Sequence, residues 1–152
     1  LKTFEHHLLA MSYLKDFRSF LHNHSEFSFT ALRWGLGVMM FLAGLHKLFE
    51  PAIWAAYTAP ELTVLFPGTP TQMMQFLHAP VEIIAGLAIL ADFYTDVAAS
   101  ISALSLLGII FNLLLAGGPV DTLIRDIGLF GLALSAAFMF GDSVQEDLQN
   151  SS

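Results

Sequence analysis

The sequence contains no cysteine. A chain without thiols forms no disulfide, performs no thiol–disulfide exchange itself and offers no thiolate to an iron–sulfur cluster. It is almost as poor in charge. Charged residues make up 12% of its 152 positions, against about 25% in an ordinary soluble domain. Only six are Lys or Arg, and the net charge is −7. No basic patch interleaved with aromatics occurs, which argues against nucleic acid as a partner. A continuous apolar core is also missing from the N-terminal stretch, which carries charges throughout, so no cleavable signal peptide is read there. The chain opens on Leu1 rather than Met and leaves open whether residues precede it.

What the chain has instead is apolar surface. Hydrophobic residues make up 55%, too many for a soluble fold of this size to cover. They gather in four stretches, near residues 30–49, 75–91, 97–116 and 122–140. A helix of about 20 residues crosses a hydrocarbon core of roughly 30 Å. The expected fold is therefore all-α: an integral membrane four-helix bundle with an N-terminal amphipathic interfacial helix. Three segments follow: 1–28 as that helix and a hinge, 29–141 as the bundle, and 142–152 as an acidic tail.

The N-terminal helix is read from one stripe. Leu1, Phe4, Leu8, Met11, Leu14, Phe17 and Leu21 recur at spacings of three and four, with Lys2, Glu5, His6, Lys15, Asp16 and Arg18 off it. Such a helix lies in the membrane interface or docks on a partner. His22-Asn23-His24-Ser25 breaks the pattern as a hinge. Residues 50–74 form the longest connection, read as an external loop with a short interfacial helix, its Trp54 and Tyr57 at headgroup level. Re-entry of this loop into the bundle mouth is the alternative. Gly117-Gly118-Pro119 is a strong breaker, Asp121 an expected N-cap and Gly141 an expected C-cap. Arg33 is expected to snorkel to lipid phosphate beside Trp34.

Small residues mark packing faces. Gly37 and Gly44 share a face of the first span, Gly86 lies on the second, Gly108 on the third and Gly128 on the fourth. Lys2, Lys15, Arg18 and Arg33 precede or open the first span. The positive-inside rule then places the N-terminus in the cytoplasm, and four spans return the C-terminus to the same side of a cell membrane.

Threading the spans up and down brings His46, Lys47, His78, Glu82, Asn112, Arg125 and Asp126 toward one membrane side. Ionisable groups in hydrocarbon are costly, roughly 2.5 to 3.5 kcal/mol each on insertion scales, and face a bundle interior or polar pocket. Lys47 and Arg125 are available partners for Glu82 and Asp126. The cluster reads as a salt-bridge network pinning helix ends, or as a polar pocket for a small molecule, quinone headgroup or proton relay. His46, His78 and Glu82 are weak metal candidates, since two His and a carboxylate form a known ligand set but Lys47 would repel a cation. Haem between His46 and His78 is weaker still. No cofactor is firmly implied; a quinone or a lipid is compatible.

Three motifs in order carry a resemblance. Arg33-x3-Gly37-x6-Gly44-x2-Lys47, Val81-Glu82-x3-Gly86-Leu87 and Arg125-Asp126-Ile127-Gly128-Leu129 together resemble the DoxX family of small four-helix membrane proteins, over residues 29–140. The resemblance implies a multipass membrane protein tied to redox systems. The related DoxD type is a subunit of thiosulfate:quinone oxidoreductase. It marks Lys47, Glu82, Arg125 and Asp126 as the patterned polar set, while the absence of cysteine speaks against a direct thiol role.

No autonomous catalytic motif is read, so catalytic residues are unknown. The expected role is an accessory or quinone-proximal subunit of a membrane oxidoreductase complex, such as a respiratory complex or membrane monooxygenase. Its partners would be the lipid bilayer and other membrane subunits. The alternatives are a small-molecule or proton carrier, a stand-alone thiosulfate:quinone-type enzyme, or a structural scaffold.

Overall fold

A computed structural model describes residues 2–24 and 26–150. Leu1, Ser25 and the last two residues lie outside the described residues, as do the side chains of 2–10 and of Val144, Glu146, Asp147, Leu148 and Asn150. Part of the expected stripe, hinge and tail falls there. Helix α1 runs Lys2–Asn23 and α2 Phe27–Phe49. Three short helices follow: α3 (Pro51–Ala55), α4 (Pro60–Thr63) and α5 (Pro70–Met73). A π-helical turn at Met74–His78 leads into α6 (Ala79–Leu90), then α7 (Thr95–Ala116) and α8 (Val120–Asn150). Among the described residues, four stretches are long and apolar enough to span a bilayer: Phe27–Phe49, Pro70–Leu90, Thr95–Ala116 and Val120–Ser143. The chain is an all-α, multipass membrane protein.

Two compact units divide the chain, Leu1–Ala31 and Leu32–Ser152. In the first, His24 Nδ1–H donates to the Phe20 carbonyl at 2.8 Å and caps the end of α1. The stripe residues Met11, Leu14, Phe17 and Leu21 are exposed, and so are Tyr13 and Phe20 beside them.

In the second unit, α2 and α6 meet backbone to backbone. A Cβ at Gly86 would lie 2.5 Å from Phe41 N and 2.8 Å from Gly37 O. At Gly44 it would lie 2.8 Å from Ile83 N and 2.9 Å from Ala79 O. Only glycine fits, because without a hydrophobic drive between helices the gain comes from such close approach. Gly108 and Gly128 are different. A Cβ at either meets nothing within 4 Å, and both are exposed. Their helix faces turn outward. The buried core is instead built from Ala99 and Ala103 on α7 with Ala133 and Ala136 on α8, against Leu36, Met40 and Ile89.

The second span begins earlier than its hydropathy predicts. Thr69 Oγ1 accepts the Gln72 N–H at 3.2 Å while Gln72 Oε1 accepts the Thr69 N–H at 2.9 Å, with Pro70 at the first position. This reciprocal cap starts a helix in what reads as loop. The π turn ends at His78, two residues before Pro80, whose ring and missing N–H disfavour an ordinary α turn just ahead of it. Two helix ends also differ from expectation. Asp121 lies inside the first turn of α8 rather than capping it, and α8 runs through Gly141 to Asn150. Gly141 does not adopt the left-handed conformation that Gly117 uses to end α7.

Arg33 meets a protein partner rather than lipid phosphate alone. Its guanidinium pairs with Asp92 in the turn between α6 and α7, where Asp92 and Tyr94 both have positive φ, 56° and 47°. Thr95 Oγ1–H donates to Asp92 Oδ1 at 2.8 Å. That hydrogen bond above all, with Arg33 adding to it against a countering desolvation, holds the Asp92 carboxyl below its ordinary value. A depressed carboxylate stabilises the fold above its unfolded value of about 4 and loses that contribution as pH falls through the lower folded value. The side chain is 57% exposed, so screening keeps the effect under about 1 kcal/mol. Unfolding midpoints measured from neutral pH to acid should fall less steeply for Asp92→Asn than for the native chain. Identical acid limbs would show that this turn holds no charge-dependent stability.

Candidate functional site

The glycine seam places an ion pair. Gly44 precedes Lys47 by three residues, and its neighbours across the seam, Ala79 and Ile83, flank Glu82. Closing the backbones there brings Lys47 Nζ to 2.5 Å from both Glu82 oxygens. Lys47 and Glu82 are 2% and 1% exposed. Two charges withdrawn from water this far are tolerated because each neutralises the other and the contact is bidentate. Ser105 on α7 is a further hydrogen-bonding neighbour of the carboxyl, and Asp126 is a like charge nearby.

The segment after α2 turns back over this pair. Lys47 Nζ lies 4.2 Å from the centroid of the Trp54 ring, a cation–π contact. Trp54 Nε1–H donates to His46 Nδ1 at 2.9 Å. With Nδ1 accepting, the neutral His46 ring carries its proton on Nε2, which is left as a donor. Asn112 holds the segment in place from α7: its Oδ1 accepts the Ala59 N–H at 2.8 Å, and its Nδ2 donates to the Tyr57 carbonyl at 2.8 Å. Gln75 Nε2 adds a hydrogen bond to the Leu48 carbonyl at 3.3 Å. Trp54 and Tyr57 thus turn toward the bundle mouth rather than serving only at headgroup level.

On α8, Arg125 Nε–H donates to Asp126 Oδ1 at 2.9 Å. Asp126 is buried, whereas the Arg125 side chain is 53% exposed. Among the described residues, the other guanidinium N–H groups and Asp126 Oδ2 have no hydrogen bond to protein.

Two adjoining cavities share this wall. One, of about 130 Å³, lies beneath the returning segment and is lined by Ile53, Trp54, Tyr57, Asn112 and Thr122 beside the charged groups. The other, of about 290 Å³, runs between α2 and α8 and reaches Glu82. His46, Lys47, Trp54, Arg125 and Asp126 line both.

Of the residues singled out in the sequence, Lys47, Glu82, Arg125, Asp126, His46 and Asn112 come together here. His78 lines neither of these cavities, though it is near enough to Lys47 to feel its charge. Asn112 reaches the site as the clasp of the returning segment. The metal candidates His46, His78 and Glu82 do not assemble: among the described residues no three His, Asp or Glu side chains could hold an ion together. His46 Nδ1 is taken by Trp54, and Glu82 by Lys47. Trp54, Tyr57 and Ser105 are site residues that the hydropathy pattern misses. The one signal for Trp54 is Pro51, which opens a helix directly after α2 and so turns the chain back.

The sequence model of the DoxX family matches residues 28–114. The match takes in Lys47, Glu82 and Asn112 and stops before Arg125 and Asp126. No curated protein and no solved structure matches the chain.

Proposed function

Since the chain belongs to the DoxX family, we propose that it serves as an accessory, quinone-proximal subunit of a membrane oxidoreductase complex, a respiratory complex or a membrane monooxygenase among them. The observation that carries this reading is the double cavity walled by the Lys47–Glu82 and Arg125–Asp126 pairs at one end of the bundle. Structural latches alone would favour a filled core at that end. Here the charges instead border open space within reach of the bilayer. The carrier alternative has less support, because the half of the bundle toward Arg33 is filled by Leu36, Ile89 and the alanines of α7 and α8. We further propose that both termini are cytoplasmic in a cell membrane, from the excess of Lys and Arg ahead of and at the start of the first span. This puts the cavities in the outer leaflet.

Gentle-detergent purification from native membranes, with native gels and mass spectrometry of what co-migrates, tests the reading. A stoichiometric redox complex is expected. Glu82→Gln, compared at equal protein level, should lower complex assembly or quinone turnover. A chain that purifies alone, or a variant with normal assembly and normal turnover, would sink the proposal.

A further inference from the structure

We propose that the cleft between α2 and α8 admits an amphiphile sideways from the bilayer and holds its oxygen-bearing head between Arg125, His46 and Asp126. This rests on the pocket reading above and goes beyond it by naming the route and the head-group chemistry.

The route follows from helix register. Ala43 lies one turn before His46 and Lys47 on α2, and Leu129 lies one turn after Arg125 and Asp126 on α8. The two helices run in opposite directions, so Ala43 and Leu129 both sit one turn deeper in the bundle than the charged groups. Both line the larger cavity, with Met39 and Leu42 beyond them. Leu42 is 56% exposed, so the wall of the cleft is at once part of the outer surface of a membrane span. A ligand arriving this way meets aliphatic side chains first and charge last. That order suits a molecule with an apolar tail and a polar head.

The head-group chemistry follows from which polar atoms are already engaged. Both Glu82 oxygens are taken by Lys47. Among the described side chains that line this cleft, what remains is a set of donors, the outer guanidinium N–H groups of Arg125 and Nε2–H of His46, and the acceptor Asp126 Oδ2. Carbonyl oxygens suit the donors and a hydroxyl suits the acceptor. A head with neutral oxygens therefore fits better than a bare phosphate, which Asp126 would oppose. Trp54 offers a flat wall, and a cavity of about 150 Å³ is enough for a single benzene ring. Two sources share this chemistry: a quinone or quinol, and an uncharged lipid with a free glycerol hydroxyl.

The test uses the full chain, purified in gentle detergent and reconstituted in nanodiscs of phosphatidylcholine. Bound small molecules are extracted and identified by mass spectrometry. Binding of a decyl-tailed benzoquinone and of diacylglycerol is then titrated on the native chain, Arg125→Gln, Ala43→Phe and Leu104→Phe. Arg125→Gln should weaken binding about tenfold, the loss expected for one charged hydrogen bond. Ala43→Phe fills the cleft and should weaken it at least as much. Leu104→Phe, on the lipid-facing side of α7, should leave it unchanged. If Ala43→Phe fails to fold, Leu129→Phe asks the same question from the opposite wall. A response to the benzoquinone identifies a quinone as the source and a response to diacylglycerol a lipid; either carries the proposal. Equal binding by the native chain and the cleft variants overturns it. So does binding of inorganic phosphate in place of both amphiphiles. Intact amphiphile binding in a chain that purifies without redox partners would sink the subunit role and leave this inference standing.

Discussion

Replacing Lys47 with Met should lower the stability of the folded bundle by about 3–5 kcal/mol, the usual result of removing one partner of a buried ion pair. Glu82 is 1% exposed. Without Lys47 its carboxylate has no cation within bonding distance among the described residues, and Asp126 nearby adds repulsion. The protein must then take up a proton at Glu82, admit water or open the α2–α6 seam. The same substitution removes the contact with the Trp54 ring and should loosen the returning segment. The double variant Lys47→Met/Glu82→Leu removes both charges at similar volume. It should recover most of the loss, because the gain of the pair largely offsets its desolvation and a lone charge has no such offset. Denaturant titration in mixed micelles, analysed as a double-mutant cycle, measures this. A double variant no more stable than Lys47→Met would mean that the pair is not one electrostatic unit.

Gly86→Ala should cost about 1–3 kcal/mol, the range for overpacking a tight contact. The added methyl would meet three backbone atoms of two residues: Phe41 N at 2.5 Å, Gly37 O at 2.8 Å and Phe41 Cα at 2.9 Å. No rotamer change relieves a clash with backbone, so α2 and α6 must separate. Separation also pulls Glu82 from Lys47, and quinone or lipid binding should weaken with it. Gly128→Ala is the matched control. Nothing lies within 4 Å of its Cβ, and alanine is the better helix former by up to about 1 kcal/mol. It should be neutral or slightly stabilising. Equal effects at the two positions would show that α2 and α6 do not cross as closely as described.

These two glycines show where the sequence stops being informative. Gly86 and Gly128 both sit in family-like motifs and at helical spacing from a charged residue. Spacing identifies a face but does not say what the face meets. On α6 that face closes against α2; on α8 it points outward, and the alanines at 133 and 136 turn inward instead. The charged pairs read better. A charge within an apolar span has few solutions, so cost alone made Lys47 and Arg125 available partners for Glu82 and Asp126; which cation meets which carboxylate came from the structure. Arg33 did not. Its carboxylate partner, Asp92, lies in a turn whose left-handed residues are Asp and Tyr, not glycine, so no sequence signal aimed the turn back at α2. The connection after α2 was the least legible part. Its apolar residues have no clear period, because it is built from short proline-started helices held by long-range hydrogen bonds from Asn112 and Gln75.

By itself the sequence determined that this is a four-span membrane protein with most of the polar groups of its spans expected at one end. Hydrophobic length is a one-dimensional property that fixes the spans, and alternating direction fixes which ends meet. The tertiary structure alone decided that the gathered charges border open space. That depends on the angular setting of each helix and on a returning segment clasped by contacts more than fifty residues apart in the chain, which no local pattern encodes.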